Sequence, residues 1–229
     1  MPHGSPASPH PLSLPARLCL LAWDPAPSRP AGPGRPDHLV RAGALTELAQ
    51  RGLLVDDGGI ATPLDLDAGA GDPALDGLLE LVRESRPRPW RTWVTLRAGY
   101  TLRDVHGQLA AGGWLRAGKR RLLGVLPAAE HTLERVDVAR ALRARARQVL
   151  EGGRPVAEVS ERDAAVVVLA LAADLSTVLP GGDRGHHRRR VEELAERSAA
   201  GDPALHRVVR EIRIALRAAA VSAPAPAGA

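Results

Sequence analysis

From Ala164 to Leu175 the chain reads AAVVVLALAADL. A helix this apolar on every side has no face to give to water, so it belongs at the middle of a bundle. It is also too short to cross a bilayer, which takes about 20 apolar residues. Ser160 stands ready to cap its start. The rest of the core must be aliphatic, because 45% of the 229 residues are hydrophobic yet there is no Phe, one Tyr and four Trp. Leu, Val and Ala favour helix-on-helix packing. The reading is a mainly α, single-domain helical bundle around a buried apolar helix. It spans residues 12–221, with short β-hairpins, one of them a protruding basic and apolar hairpin. Residues 1–11 and 222–229, rich in Pro, Ser, His and Ala, are expected to be disordered tails.

The other elements follow from local chemistry. Leu12 to Asp24 is a short apolar element, and Pro25 to Pro36 a Pro- and Gly-rich loop. Asp37 is expected to cap a helix running through Leu45 and Leu48 to Arg51, which Gly52 ends. Leu53 to Val55 and Ile60 to Thr62 make a hairpin about the Asp57-Gly58-Gly59 turn. Asp72, with Pro73 behind it, caps a helix to about Ser85. Trp90 to Leu96 is a short helix with Trp90 and Trp93 turned inward. Val136 to Leu150 is periodic, with Arg140, Arg143, Arg145 and Arg147 on its outer side. After a loop at Pro180 to Gly185, helices run over about His187 to Ser198 and Pro203 to Val221.

The most informative stretch is LRDVHGQLAAGGWLRAGKRRLLGVLP, Leu102 to Pro127. Leu102, Val105 and Leu109, continued by Trp114 and Leu115, mark one helix face, and Gly112-Gly113 is a stop. Lys119, Arg120 and Arg121 then adjoin Leu122 and Leu123, with Gly124 able to turn and Pro127 as the end. That reads as a hairpin arm. An apolar tip beside cations suits an anionic lipid surface; the plain alternative is core leucines with a solvated rim. The formal charge of +5 also favours anionic partners. The Ala, Arg, Gly and Pro bias is that of a GC-rich bacterial gene.

Much chemistry is excluded. Cys19 is the single cysteine, so no internal disulfide or cysteine metal cluster is expected; the default is a buried thiol in a reducing cytoplasm. Gly113 to Lys119 matches G-x-x-x-x-G-K, but Arg120 stands where a phosphate-binding loop needs Ser or Thr. His186-His187 precede three arginines that repel a metal, so a solvated loop is expected there. Asp56-Asp57 are read as turn residues. No catalytic motif stands out, so neither enzyme activity nor a cofactor is expected.

The order of LTELAQRGLLVDD, GDPALDGLLELVRES, WRTWV, the central stretch and RDAAVVVLALAADLSTVL resembles the Golgi phosphoprotein 3 family, over about Leu18 to Ala220. The resemblance implies a helical domain with a projecting hairpin. It also implies a peripheral membrane protein that binds phosphatidylinositol 4-phosphate and, in eukaryotic members, links glycosyltransferases to vesicle coats. The family pocket uses a Trp, an Arg on the first helix and two Arg spaced by three before the hairpin. Arg41 resembles the first-helix Arg and Arg103 the first of the pair. His106 stands in the second position, and the Trp position falls near Gly32. Leu122 and Leu123 would be the membrane tip. The expected partners are an anionic lipid surface at the inner face of the membrane, protein clients, and a second copy through the hairpin. A winged-helix nucleic-acid binder is the alternative, since a helix followed by a hairpin occurs twice. Its reading helix would carry Arg103, Asp104, His106 and Gln108, a poor set for a groove.

Overall fold

The computed structural model describes residues 12–24, 29–30, 35–122, 126–179 and 184–222. For Asp24, Arg29-Pro30, Lys119–Leu122, Leu126–Glu130 and Arg184 the backbone alone enters the description. The expected tails, save Ser222, lie outside the described residues. So do most of the 25–36 loop, Gly32, Leu123, Gly124 and residues 180–183.

The architecture is mainly α and single-domain. Among the described residues the α-helices are α1 (Leu14–Leu21), α2 (Pro36–Gln50), α3 (Pro73–Arg83), α4 (Trp90–Thr95), α5 (Ala98–Ala111), α6 (Val136–Glu151), α7 (Glu161–Ala172), α8 (Arg184–Ser198) and α9 (Pro203–Val221). Among the described residues three separate antiparallel ribbons join them: β1 (Trp23–Asp24) with β2 (Arg29–Pro30), β3 (Leu54–Asp57) with β4 (Ile60–Pro63), and β5 (Leu115–Leu122) with β6 (Leu126–Leu133).

α7 is the buried helix that its composition demands. Ala164 to Ala170 are all buried, and the helix packs against α1, α2, α6, α8 and α9. Ser160 caps it, its Oγ accepting from the Asp163 amide at 3.1 Å. Asp72 caps α3 through the Ala74 and Leu75 amides, and Asp202 caps α9 through Ala204. α2 is just as enclosed: every residue from His38 to Leu48 is buried. Gly43 allows this, because a Cβ there would stand 2.6 Å from Leu18 Cδ1 and 3.2 Å from Pro15 Cα. α1 therefore seats on α2 at a distance only Gly permits.

Several expectations are corrected. Asp37 does not cap α2: Pro36 takes the first helical position, Arg35 precedes it, and no side chain caps the end. Proline suits that place because its missing N–H would be unpaired there anyway. α5 begins earlier than its apolar spacing suggested, at Ala98, after Arg97 turns left-handed with φ 51°. Leu115 is the first residue of β5 and not the end of a helix face, because Gly113 (φ 70°) reverses the chain ahead of it. Pro127 does not end the hairpin. It pairs with Arg121 inside β6, as an edge strand allows. His186 and His187 sit in the first turn of α8, rings edge to face at 5.1 Å, not in a loop. Asp56 is more than a turn residue: it accepts from Trp90 Nε1 at 2.8 Å and Arg207 Nη1 at 3.0 Å. On α6 the expected solvated arginines are partly engaged, Arg145 with Asp163 and Arg147 with the Thr177 carbonyl.

The β5–β6 hairpin leaves the body at its root. Leu115 and Leu133 pair there and are buried, whereas Arg116, Ala117 and Gly118 beyond them are exposed. Register runs on to Leu122 opposite Leu126.

Candidate functional site

The seam between α2 and α5 holds the most unusual side chain of the described core. Arg41 is 0% exposed. A guanidinium has five donors and needs acceptors for them when water is excluded. Here Nη2 donates to the Arg97 carbonyl at 2.8 Å, while Nε and Nη1 find no partner among the described residues. Burial pulls the group down to about 10, against the opposing attraction of Asp104 and Asp37. It thus stays charged at neutral pH. Buried polar atoms are nearly always hydrogen-bonded, so two open nitrogens on one fully buried cation make Arg41 the candidate anion-binding group among the expected site residues.

The left-handed turn at Arg97 aims its carbonyl at this group, so the corner between α4 and α5 positions the site from one side. α2 positions it from the other. Asp104 on α5 attracts it through charge, a role that its sequence position does not reveal.

The other expected residues divide between two places. Arg103 is exposed on α5, its guanidinium 4.8 Å over the Tyr100 ring. It lies next to Asp104 in sequence but is exposed where Arg41 is buried. His106 turns toward the hairpin root. Its ring is 5.9 Å from Trp23 and 4.5 Å from His131 on β6. Burial, and then the nearby His131, push His106 down to about 4. It is neutral at physiological pH and so carries no charge in place of a pocket arginine there. Any effect of its titration moves from the ordinary histidine range to near 4. The family Trp position, near Gly32, lies outside the described residues; Trp23, which sequence reasoning passed over, is the indole beside His106. The cationic and apolar hairpin residues Lys119, Arg120, Arg121 and Leu122 continue β5, and Leu123 lies outside the described residues.

A cavity of about 530 Å³ opens elsewhere, between the end of α7, α8 and α9. Leu171, Leu179, Val191, His187, Arg188 and Arg217 line it, and none of the expected site residues does. Among the described residues no three His, Cys, Asp or Glu side chains gather as a metal would require. Cys19 is buried and its thiol is pushed up to about 12 by burial, so it is inert as a nucleophile.

The sequence profile of the Golgi phosphoprotein 3 (GPP34) family matches residues 14–212, from the start of α1 into α9. No curated protein matches the chain.

Proposed function

The chain belongs to the Golgi phosphoprotein 3 family, and from that premise we propose that it is a peripheral membrane protein that binds anionic phospholipid headgroups. The observation that carries this reading is the buried Arg41 guanidinium with two open nitrogens. An unpaired buried donor costs about 1–3 kcal/mol, more when charged, and an anion that fills the site recovers this. Phosphate oxygens suit the planar fork of Arg better than any point cation. Phosphatidylinositol 4-phosphate is the headgroup that the family resemblance implies, and other anionic phospholipids offer the same oxygens.

The hairpin supplies the second contact. Each of Lys119, Arg120 and Arg121 contributes about 1 kcal/mol of attraction near an anionic surface. Leu122 and Leu123 add about 1.5–3 kcal/mol each at most on insertion. The contact proposed is from the side, at the cytoplasmic face. Among the described residues no helix is long and apolar enough to cross a membrane. One hairpin holds weakly, so a second copy joined through it would strengthen attachment. The role is binding, not catalysis.

Flotation with anionic and neutral vesicles, beside a DNA shift assay, tests the reading at two salt concentrations. The chain floats with anionic vesicles alone. Leu122→Asp with Leu123→Asp leaves the melting transition intact and abolishes flotation, because apolar insertion is replaced by two charges that the lipid repels. A folded double variant that floats like the parent ends the hairpin half of the proposal. DNA binding that weakens steeply with salt, without flotation, returns the winged-helix reading.

A further inference from the structure

α2 carries a second buried side chain with an open nitrogen, one turn ahead of Arg41. His38 is 7% exposed. Its Nε2 stands 3.7 Å from Asp37 Oδ2. Its Nδ1 is buried and has no hydrogen-bond partner among the described residues. A spacing of three puts His38 and Arg41 side by side on one helix face, about 5–6 Å apart at Cβ. Three buried nitrogens, His38 Nδ1 and Arg41 Nε and Nη1, are thus left open within one turn of one helix. Each such exception needs an explanation, and a single anion explains all three.

We propose that His38 is the second half of the Arg41 site, and that its Nδ1 and the guanidinium hold one phosphomonoester between them. This rests on the headgroup reading above and adds to it a second side chain, His38, and a pH dependence. A phosphomonoester brings nearly two negative charges and three acceptor oxygens, enough to meet both side chains at once. A diester brings one charge and fewer free oxygens.

The ring tautomer ties binding to a proton. Asp37 Oδ2, 3.7 Å from Nε2, is beyond hydrogen-bond distance but its charge favours a proton on that nitrogen; with the proton there, Nδ1 of a neutral ring presents a lone pair, which repels an anion. Nδ1 donates while Nε2 keeps its proton only when the ring carries both, so binding takes up one proton. The charges facing His38 are Arg35, Asp37 and Arg41, while Asp104 on α5 faces Arg41. In the empty site burial, joined by Arg35 and Arg41, holds His38 below its ordinary value, against Asp37. A phosphate beside Nδ1 acts in the same sense as Asp37 and raises it. Affinity therefore climbs as pH falls between those two values, by at most about tenfold per unit for one proton.

The test uses the full chain and phosphatidylcholine vesicles carrying either phosphatidic acid, a monoester, or phosphatidylglycerol, a diester. Parent, His38→Gln and Arg41→Met are compared on the same vesicles from about pH 8 to about pH 5.5, across the histidine range. Because phosphate itself titrates near 6, the readout is the difference between parent and variant and not the parent curve alone. The parent is expected to prefer phosphatidic acid and to gain affinity as pH falls, and His38→Gln to flatten that gain. The NMR titration midpoint of the His38 ring, in the parent alone, gives a reading that needs no variant to fold. A rise with inorganic phosphate assigns a free phosphate as sufficient, and a rise only with phosphatidic acid vesicles assigns the lipid. A midpoint unmoved by either probe overturns the proposal. His38→Gln that tracks the parent curve, while Arg41→Met loses binding, removes His38 and leaves the Arg41 reading standing. A parent that ignores both anionic vesicles at every pH overturns that reading and this one together.

Discussion

Glu47 and Arg41 lie six residues apart on α2 and are both within 1% of complete burial. Their surroundings differ. The Glu47 carboxylate accepts from the Leu14 amide at 2.6 Å, from Arg162 Nη2 at 3.1 Å and from Arg51. It ties the first turn of α1 to α2 and reaches α7 through Arg162. Arg41 has one bond of the several it can make. The same contrast separates Arg41 from Asp163, which bonds to Arg17, Arg145 and Ser160. Glu47 and Asp163 find their partners within the fold. Arg41, 0% exposed, keeps two nitrogens without a partner among the described residues, and an acceptor from outside the fold would complete its bonding.

The comparison can be broken at its strongest point by placing an open charge where no ligand can come. Val167→Asp buries an unpaired carboxylate at the middle of α7 and should cost several kcal/mol, enough to unfold or aggregate the protein. A cooperative melt within a few degrees of the parent would contradict the placement of α7.

Glu47→Leu comes next. It leaves the Leu14 amide and two guanidinium groups without their acceptor and should cost about 3 kcal/mol, a fall in Tm of about 10 °C. Arg41→Met should change stability by less than about 1–2 kcal/mol, because an apolar side chain replaces an incompletely bonded cation; flotation with anionic vesicles should be lost. If Arg41→Met melts as early as Glu47→Leu, the two charges are alike and the contrast fails.

Acid should separate them again. Burial raises the Asp163 carboxyl, but the Arg145 and Ser160 hydrogen bonds and the Arg145 and Arg17 charges outweigh it and hold the group below its ordinary value. A depressed carboxylate contributes stability that is present above its unfolded value and lost as pH falls through its folded one. Urea midpoints should therefore drop below about pH 4 in the parent and drop less in Asp163→Asn. The smallest effect belongs to Arg103→Ala. Its exposed side chain should leave Tm within about 1 °C while weakening vesicle binding; unchanged binding would remove it from the site.

The sequence carried those features whose cause is local. Asp72 and Ser160 each reach amides two or three residues on, so their caps were legible, as was α7, whose composition admits no exposed face. Arg97 was not legible, because its left-handed turn answers to Arg41, 56 residues away. Asp56 reads as a turn residue in the sequence because its partners, Trp90 and Arg207, are 34 and 151 residues distant. At the site, Arg41 was found by motif order and Asp104 by none. His38 could have been found once Arg41 was chosen, since a histidine three positions away shares its helix face. His106 was placed with Arg41 by alignment to a pattern, whereas the fold turns it to Trp23 and His131.

The three ribbons have a consequence for how the protein keeps in concentrated solution. With two strands apiece, these ribbons are made of outer strands, and outer strands are where chains zip together into aggregates; β4 is partly covered, because the Ala61 amide donates to the Arg88 carbonyl at 3.1 Å. In each ribbon the second strand contains a proline: Pro30 opposite Trp23, Pro63 opposite Leu54, and Pro127 opposite Arg121. A proline has no N–H to offer a newcomer, so each ribbon has a gap in the row of donors that a foreign strand would need. The longest ribbon has its gap at the second residue of β6, and its other strand, β5, contains no proline. Slow self-association during storage should begin along that ribbon.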